Sequence, residues 1–418
     1  MARASSRSAL RRWRDVGKAR AFLPFVLGCT HALIPLFPAF ISLSGVAYPG
    51  ISLLPRTAVY GVLGLSCALF LSFTSALFAY GFGEQPLVLP LASLAGAAAI
   101  SALLGFDPSA GLLFIGIYLM AISWHCAVVR FFGDAKVARA ILWAYCVSGA
   151  SAAVAAVAMV LTHRPAALFA IGHGRAIGTF VLPGELAAYL VVFLPIAFAV
   201  ARVGPGKLLR AVAWSSVAVA AIALYETHSR AGWMGFAAAA AFLVATNVRG
   251  RRYGLLAATG VAAAGLIAVL LAFNVRHNPS EDYTRIAIWQ AAEQIVDRFP
   301  LTGVGPFDFA RIYPQVHVPD ADATAFHAHS IYLSIFAEMG IVGLCAFAWV
   351  IWTFARRLRD RMTRASPRSA YLALAVSAGL VGVAVQGLID TMSVVLFGLW
   401  LPTMGLALAA AAGDWERE

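Results

Sequence analysis

Along most of this chain, apolar residues run on for about 20 positions at a time, the length that crosses a bilayer core as an α-helix. Twelve such runs are predicted, at residues 22–45, 57–79, 86–106, 110–129, 139–161, 184–201, 209–226, 231–248, 254–273, 340–356, 370–388 and 393–411. The expected fold is all-α, a polytopic membrane helix bundle of about 12 transmembrane helices. A basic arm, 1–21, precedes the first run and a short tail, 412–418, follows the last. The basic-then-apolar start is like a signal peptide, but its apolar run is too long for one, so it reads as an uncleaved first span. Ala/Gly-rich stretches at 149–157, 235–241 and 257–265 suit close helix packing through small residues.

One long polar interval, 274–339, separates the ninth and tenth runs and is expected to carry short helices. Pro279-Ser280-Glu281-Asp282 reads as a helix start, with Ser280 as N-cap and acids in the first turn. Ile286, Trp289, Ala292, Val296 and Phe299 then recur at helical spacing, and Pro300 ends the pattern. An amphipathic helix at the membrane surface, or against the bundle, is expected. Gly303 and Gly305 permit a tight turn. After Ala323 a helical pattern resumes through His329, Tyr332, Leu333, Phe336 and Ala337, which puts His329 and Leu333 on one face.

Composition agrees with the pattern: 61% of residues are hydrophobic and only 12% charged, which excludes an ordinary soluble domain. The net charge of +12 would suit nucleic acid, but its distribution argues for topology instead. The hydropathy runs alone sort 23 of the 31 cations to one side of the membrane, together with both termini. By the positive-inside rule that side is cytoplasmic, and no nucleic-acid partner is expected. The eight cations left outside are all arginine: Arg56, Arg164, Arg175, Arg230, Arg276, Arg285, Arg298 and Arg311. Arginine is the better residue for bidentate contact with phosphate, although the arginine-rich usage of the whole chain also accounts for the bias. The five cysteines lie in apolar segments, form no CxxC pair and suggest no disulfide framework.

The polar places on the outer side carry an ordered set of motifs. They are Thr227-x-Ser229-Arg230-Ala231, Arg285-x-x-x-Trp289, Pro300-Leu301-Thr302-Gly303-Val304-Gly305, and His329-Ser330-x-Tyr332-Leu333 followed by Glu338-x-Gly340-x-x-Gly343. In order, spacing and many-span frame this set resembles the O-antigen ligase and polymerase family of bacterial envelopes. Upstream, Arg175-x-x-Gly178-Thr179-Phe180 with Pro183 and Ala187 is similar to the family's segment before its sixth span. Two positions depart from the family: Gly184 and Ser330 stand where asparagine is usual, and no role is carried over to them.

The resemblance implies a metal-independent glycosyltransferase without a cofactor, embedded in the inner membrane among its lipids and working on the periplasmic face. Its donor would be an undecaprenyl-pyrophosphate-linked glycan. A ligase would use a lipid A-core acceptor, the reading preferred on chain length and loop size; an O-antigen or exopolysaccharide polymerase would use another lipid-linked unit. The chemistry needs cations for developing pyrophosphate charge and a base for the attacking hydroxyl. Arg230 and Arg285, with Arg175 third, are the expected pyrophosphate ligands, and His329 the catalytic base, since an imidazole of pKa about 6.5 suits neutral pH. His327, His228 and Glu338 form a second tier: His228 as another base, Glu338 as acid chemistry or, preferably, as an arginine partner that holds the loop. His327 and His329 with Asp320 and Asp322 also suggest a metal site, which the resemblance does not require. A transporter or flippase suits many spans, but interior charges are scarce and no inverted repeat is visible. A non-enzymatic envelope assembly partner is the third class.

Overall fold

The computed structural model describes residues 2–46, 52–247, 251–276, 279–318, 324–391 and 398–416. Among these residues the chain is all α-helix and turn, with no strand. The helices are α1 (Ala2–Leu43), α2 (Thr57–Tyr80), α3 (Val88–Leu104), α4 (Pro108–Phe131), α5 (Ala135–Thr162), α6 (Ala166–Ile171), α7 (Pro183–Val203), α8 (Lys207–Glu226), α9 (Arg230–Asn247), α10 (Arg251–Arg276), α11 (Pro279–Arg298), α12 (Phe309–Val316), α13 (Ile331–Met362), α14 (Pro367–Gln386) and α15 (Trp400–Ala412). Each of the twelve expected runs falls on a helix; residue 248, at the end of the eighth, and 393–397, at the start of the last, lie outside the described residues. Helices α1, α2, α4, α5, α7, α8, α13 and α14 are long and apolar enough to cross a bilayer, and shorter apolar stretches lie in α3, α10 and α15.

Helix α7 is apolar on every side and buried over most of its length, because α5, α8, α9 and α14 pack around it. Small residues set the spacing. A Cβ on Gly149 of α5 would overlap the Phe193 ring, and one on Gly379 of α14 would sit 2.9 Å from the Val192 Cα. Gly235 of α9 and Gly382 of α14 face each other backbone to backbone. Without these glycines the helices could not come so close, and dispersion contacts along α7 would weaken.

The long polar interval folds as a small unit with its own core. Ile288, Ala291, Ala292 and Ile295 of α11 meet Phe309, Ile312, Tyr313 and Val316 of α12 and Ala337 of α13. The expected helix is present, but its buried face is turned. Ile286 is 51% exposed, and the face centres on Ile288, Ala292 and Ile295 rather than on Ile286 and Trp289. The reason is that α12 and the start of α13 cover α11 from one side, a contact that spacing within α11 cannot report. Ser280 is not the N-cap: Pro279 already belongs to the helix, so Ser280 lies inside its first turn.

The Pro300-Leu301-Thr302-Gly303-Val304-Gly305 turn is wedged into a break in α13. Gly340 has φ 62° and ψ −167°, so it leaves the helical path. The amides freed there find partners in the turn: Ile341 N–H donates to the Pro300 carbonyl at 2.9 Å and Val342 N–H to Leu301 at 3.3 Å. In return Val304 N–H donates to Ala337 and Gly305 N–H to Glu338, both at 3.0 Å. A Cβ on Gly303 would overlap the Glu338 carbonyl, and one on Gly340 would overlap that of Leu301.

Candidate functional site

The site is built where one end of α7 meets the ends of α8, α9 and α14. The α8–α9 turn carries Arg230 at the first position of α9. Ser229 holds this turn by accepting from Gly232 N–H at 3.1 Å, an N-cap contact. The Arg230 guanidinium Nη2 lies 2.6 Å from Asp282 Oδ1 on α11. Arg285, one turn further along α11, reaches the same oxygen, with Nη1 at 3.8 Å. Two arginines 55 positions apart therefore converge on one carboxylate oxygen. Arg285 Nε is buried and makes no hydrogen bond among the described residues.

Trp289, one turn beyond Arg285, ties α11 to the histidine loop: its indole N–H donates to the His329 carbonyl at 3.4 Å. His329 is not on the face of α13, contrary to the expected pairing with Leu333. The helix starts at Ile331, with Ser330 at the N-cap, and His329 precedes it with φ 46°. That left-handed backbone is uncommon for a non-glycine residue and marks an over-determined position. The loop is pinned to the far end of α14, where Ile331 N–H donates to Gly387 at 2.8 Å and the Tyr332 hydroxyl to Ala384 at 2.9 Å. His329 Nδ1 stands 3.5 Å from Asp390 Oδ1, an electrostatic contact rather than a formed hydrogen bond. The imidazole and the carboxylate are both part-exposed, at 32% and 15%.

His327 stacks edge-on to His329, with ring centroids 4.6 Å apart, and its Nδ1 accepts the His329 backbone N–H at 3.3 Å. Burial first, and then the neighbouring His329, lower its pKa from 6.5 to about 4. His327 is thus a neutral acceptor that shapes the loop. His228, also with positive φ, sits in the α8–α9 turn with its ring 5.6 Å from Tyr225 and 6.3 Å from Trp233. Its Nε2 is 4.0 Å from Glu226.

Arg175 is brought to the neighbouring loop. Ala176 N–H donates to the Glu226 carbonyl at 2.9 Å, which fastens that loop to the α8–α9 turn, while Arg175 Nε donates to Gly172 at 3.3 Å. Glu338 does hold the polar interval, but through backbone amides and not through an arginine. Its buried carboxylate accepts from Phe307 and Phe309, and its carbonyl accepts from the Ser101 hydroxyl at 2.7 Å. A carboxylate facing amides needs no cation, and none of the described arginines reaches it. Asp320 and Asp322 of the metal alternative lie outside the described residues.

Two residues of the cluster were not singled out from the sequence. Asp282 was visible only as a first-turn acid, although its spacing to Arg285 is that of a helical ion pair. Asp390 carried a signal of another kind, a lone acid at the end of an apolar run. Chemically, the arrangement offers two guanidiniums that can hold an anionic oxygen and an imidazole backed by a carboxylate. Residues 215–348 match a family model described as O-antigen ligase. Among curated proteins none matches the chain.

Proposed function

This chain carries an O-antigen ligase domain in a multi-pass helical membrane protein, and from that premise we propose that it transfers a glycan from undecaprenyl pyrophosphate to a lipid A-core acceptor. One observation carries the proposal. Arg230 and Arg285, from different helices, both close on a single carboxylate oxygen of Asp282, and α11 connects them through Trp289 to His329. A carboxylate oxygen is a fair stand-in for a phosphate oxygen, and the planar guanidinium suits both. In the proposed reaction the donor pyrophosphate displaces Asp282 from the two arginines, with Arg175 as a further cation at the rim.

His329 removes the proton of the acceptor hydroxyl as that oxygen bonds to the anomeric carbon. The bond from the anomeric carbon to the pyrophosphate oxygen breaks with its electron pair, and undecaprenyl pyrophosphate leaves. Its developing charge is met by Arg230 and Arg285 in a part-buried site, where fixed cations are more effective than in water. Asp390 orients the imidazole and stabilises the imidazolium. One displacement inverts the anomeric centre. No step calls for a metal. The site faces the periplasm and both termini face the cytoplasm in this reading. A polymerase of the same family would run the same step with a lipid-linked glycan as acceptor.

The test is transfer in vitro by the purified chain, with undecaprenyl-pyrophosphate-linked glycan, either acceptor, and chelator present or absent. Chelator-resistant transfer is expected, reduced about 10²–10⁴-fold in His329→Ala and about 10²–10³-fold in Arg230→Ala. The acceptor consumed separates ligase from polymerase. Undiminished transfer by both variants would remove the site assignment.

A further inference from the structure

We propose a second anion site, one that takes a phosphate group, at the end of the bundle opposite the glycan-transfer site, between the α7–α8 turn and the first turn of α14. An open cavity of about 610 Å³ lies there, lined by Arg202, Val203, Gly206, Arg210, Arg368 and Tyr371. Among the described residues none of the three arginines has a carboxylate partner. The contacts they do make fix them without neutralising them. Arg202 lies over the Phe198 and Tyr371 rings at 5.9 and 5.8 Å. Arg368 lies over Trp415 at 5.1 Å and its Nε donates to the Val203 carbonyl at 2.5 Å. By contrast, Arg230, Arg285 and Arg311 at the other end all stand against aspartates.

The placement of the charges strengthens the case. Arg210 lies in the first turn of α8 and Arg368 is the second residue of α14, so both stand where the helix dipole is already positive. Helix α8 opens on Gly206, which has φ 83° and offers no side-chain cap, and nothing lies within 4 Å of the position its Cβ would take. The α14 terminus is already capped by Ser366, whose hydroxyl, like that of Ser369, donates to the Glu416 carboxylate. The α8 terminus has no such cap, and there three cations around one open cavity repel one another, a cost that a bound anion offsets. The guanidinium fork fits the oxygens of a phosphate, which could come from an anionic phospholipid headgroup or from free phosphate. Trp214, one turn beyond Arg210 on α8 and 48% exposed, provides an apolar flank for an acyl chain and favours the lipid.

The experiment uses the full chain in nanodiscs and in detergent. Native mass spectrometry would compare retention of phosphatidylglycerol with that of phosphatidylcholine, and calorimetry would titrate inorganic phosphate. The comparison protein is the Arg202→Gln, Arg210→Gln double variant; Arg368 is left intact because it holds Val203. The expected result is binding of phosphatidylglycerol in preference to phosphatidylcholine, or of inorganic phosphate, weakened about fivefold for each arginine removed. Which of the two probes binds identifies the source. The parent protein gives a test that needs no variant: the preference should fall as salt is raised. Equal binding by parent and double variant, or a preference indifferent to salt, would overturn the proposal.

Discussion

At the scale of single residues, the side chain that most repays substitution is Asp390. It stands 3.5 Å from His329 Nδ1, and a Cβ on Gly184 would come within 2.8 Å of its other carboxylate oxygen. The glycine at 184, where the family pattern has asparagine, therefore leaves the space that Asp390 fills. Asp390→Asn keeps the shape and removes the charge. Steady-state kinetics should show kcat lowered about tenfold or more with the donor KM little changed, because only the charged imidazolium loses a partner. His327 gives a pH signature. Its pKa is about 4 in the folded protein against 6.5 ordinarily, so between these values the unfolded chain binds more protons than the folded one. The His327 contribution is fully present above pH 6.5 and is lost as pH falls toward 4. Thermal unfolding across that window should lose less stability on acidification in His327→Gln than in the parent.

At the scale of elements, the break in α13 and the turn wedged into it form one device. The turn takes the Ile341 and Val342 amides, and α13 takes the amides of Val304 and Gly305, so these four amides are paired across the break. Gly340→Ala and Gly303→Ala each add a Cβ at positive φ and against backbone. Each should cost about 3 kcal/mol or more, read as a lowered Tm or as loss of folded yield in detergent. Gly260→Ala in α10, where nothing lies within 4 Å, is the control and should be neutral or slightly stabilising. The glycines of the turn were legible in the sequence as turn formers. Their purpose was not, since the partner lies some 35 residues onward and the collision exists only in three dimensions.

For the whole molecule, the two ends differ in charge chemistry. One end gathers Arg202, Arg361 and Arg368, with Arg361 donating to the Leu408 carbonyl at 2.9 Å and Arg368 to Val203. The other gathers the arginines that face aspartates. In a cysteine-free background, Leu301→Cys should react with a membrane-impermeant maleimide in intact cells. Thr363→Cys should react only after permeabilisation, as the positive-inside rule requires. The reverse pattern would invert the proposed orientation.

The sequence by itself determined the helical class and the division into apolar runs and one polar interval, because membrane-length hydropathy is a local property of the chain. It also determined most of the motif residues, since the resemblance rests on ordered local patterns. Pairing was different. That Arg230 and Arg285 share Asp282, that His329 leaves the helix and faces Asp390, and that Glu338 binds amides follow from elements packed across tens to hundreds of positions. The face that α11 buries was decided in the same way, by the helices that came to lie on it, because a periodic pattern fixes spacing along a helix and leaves its rotation to the neighbours.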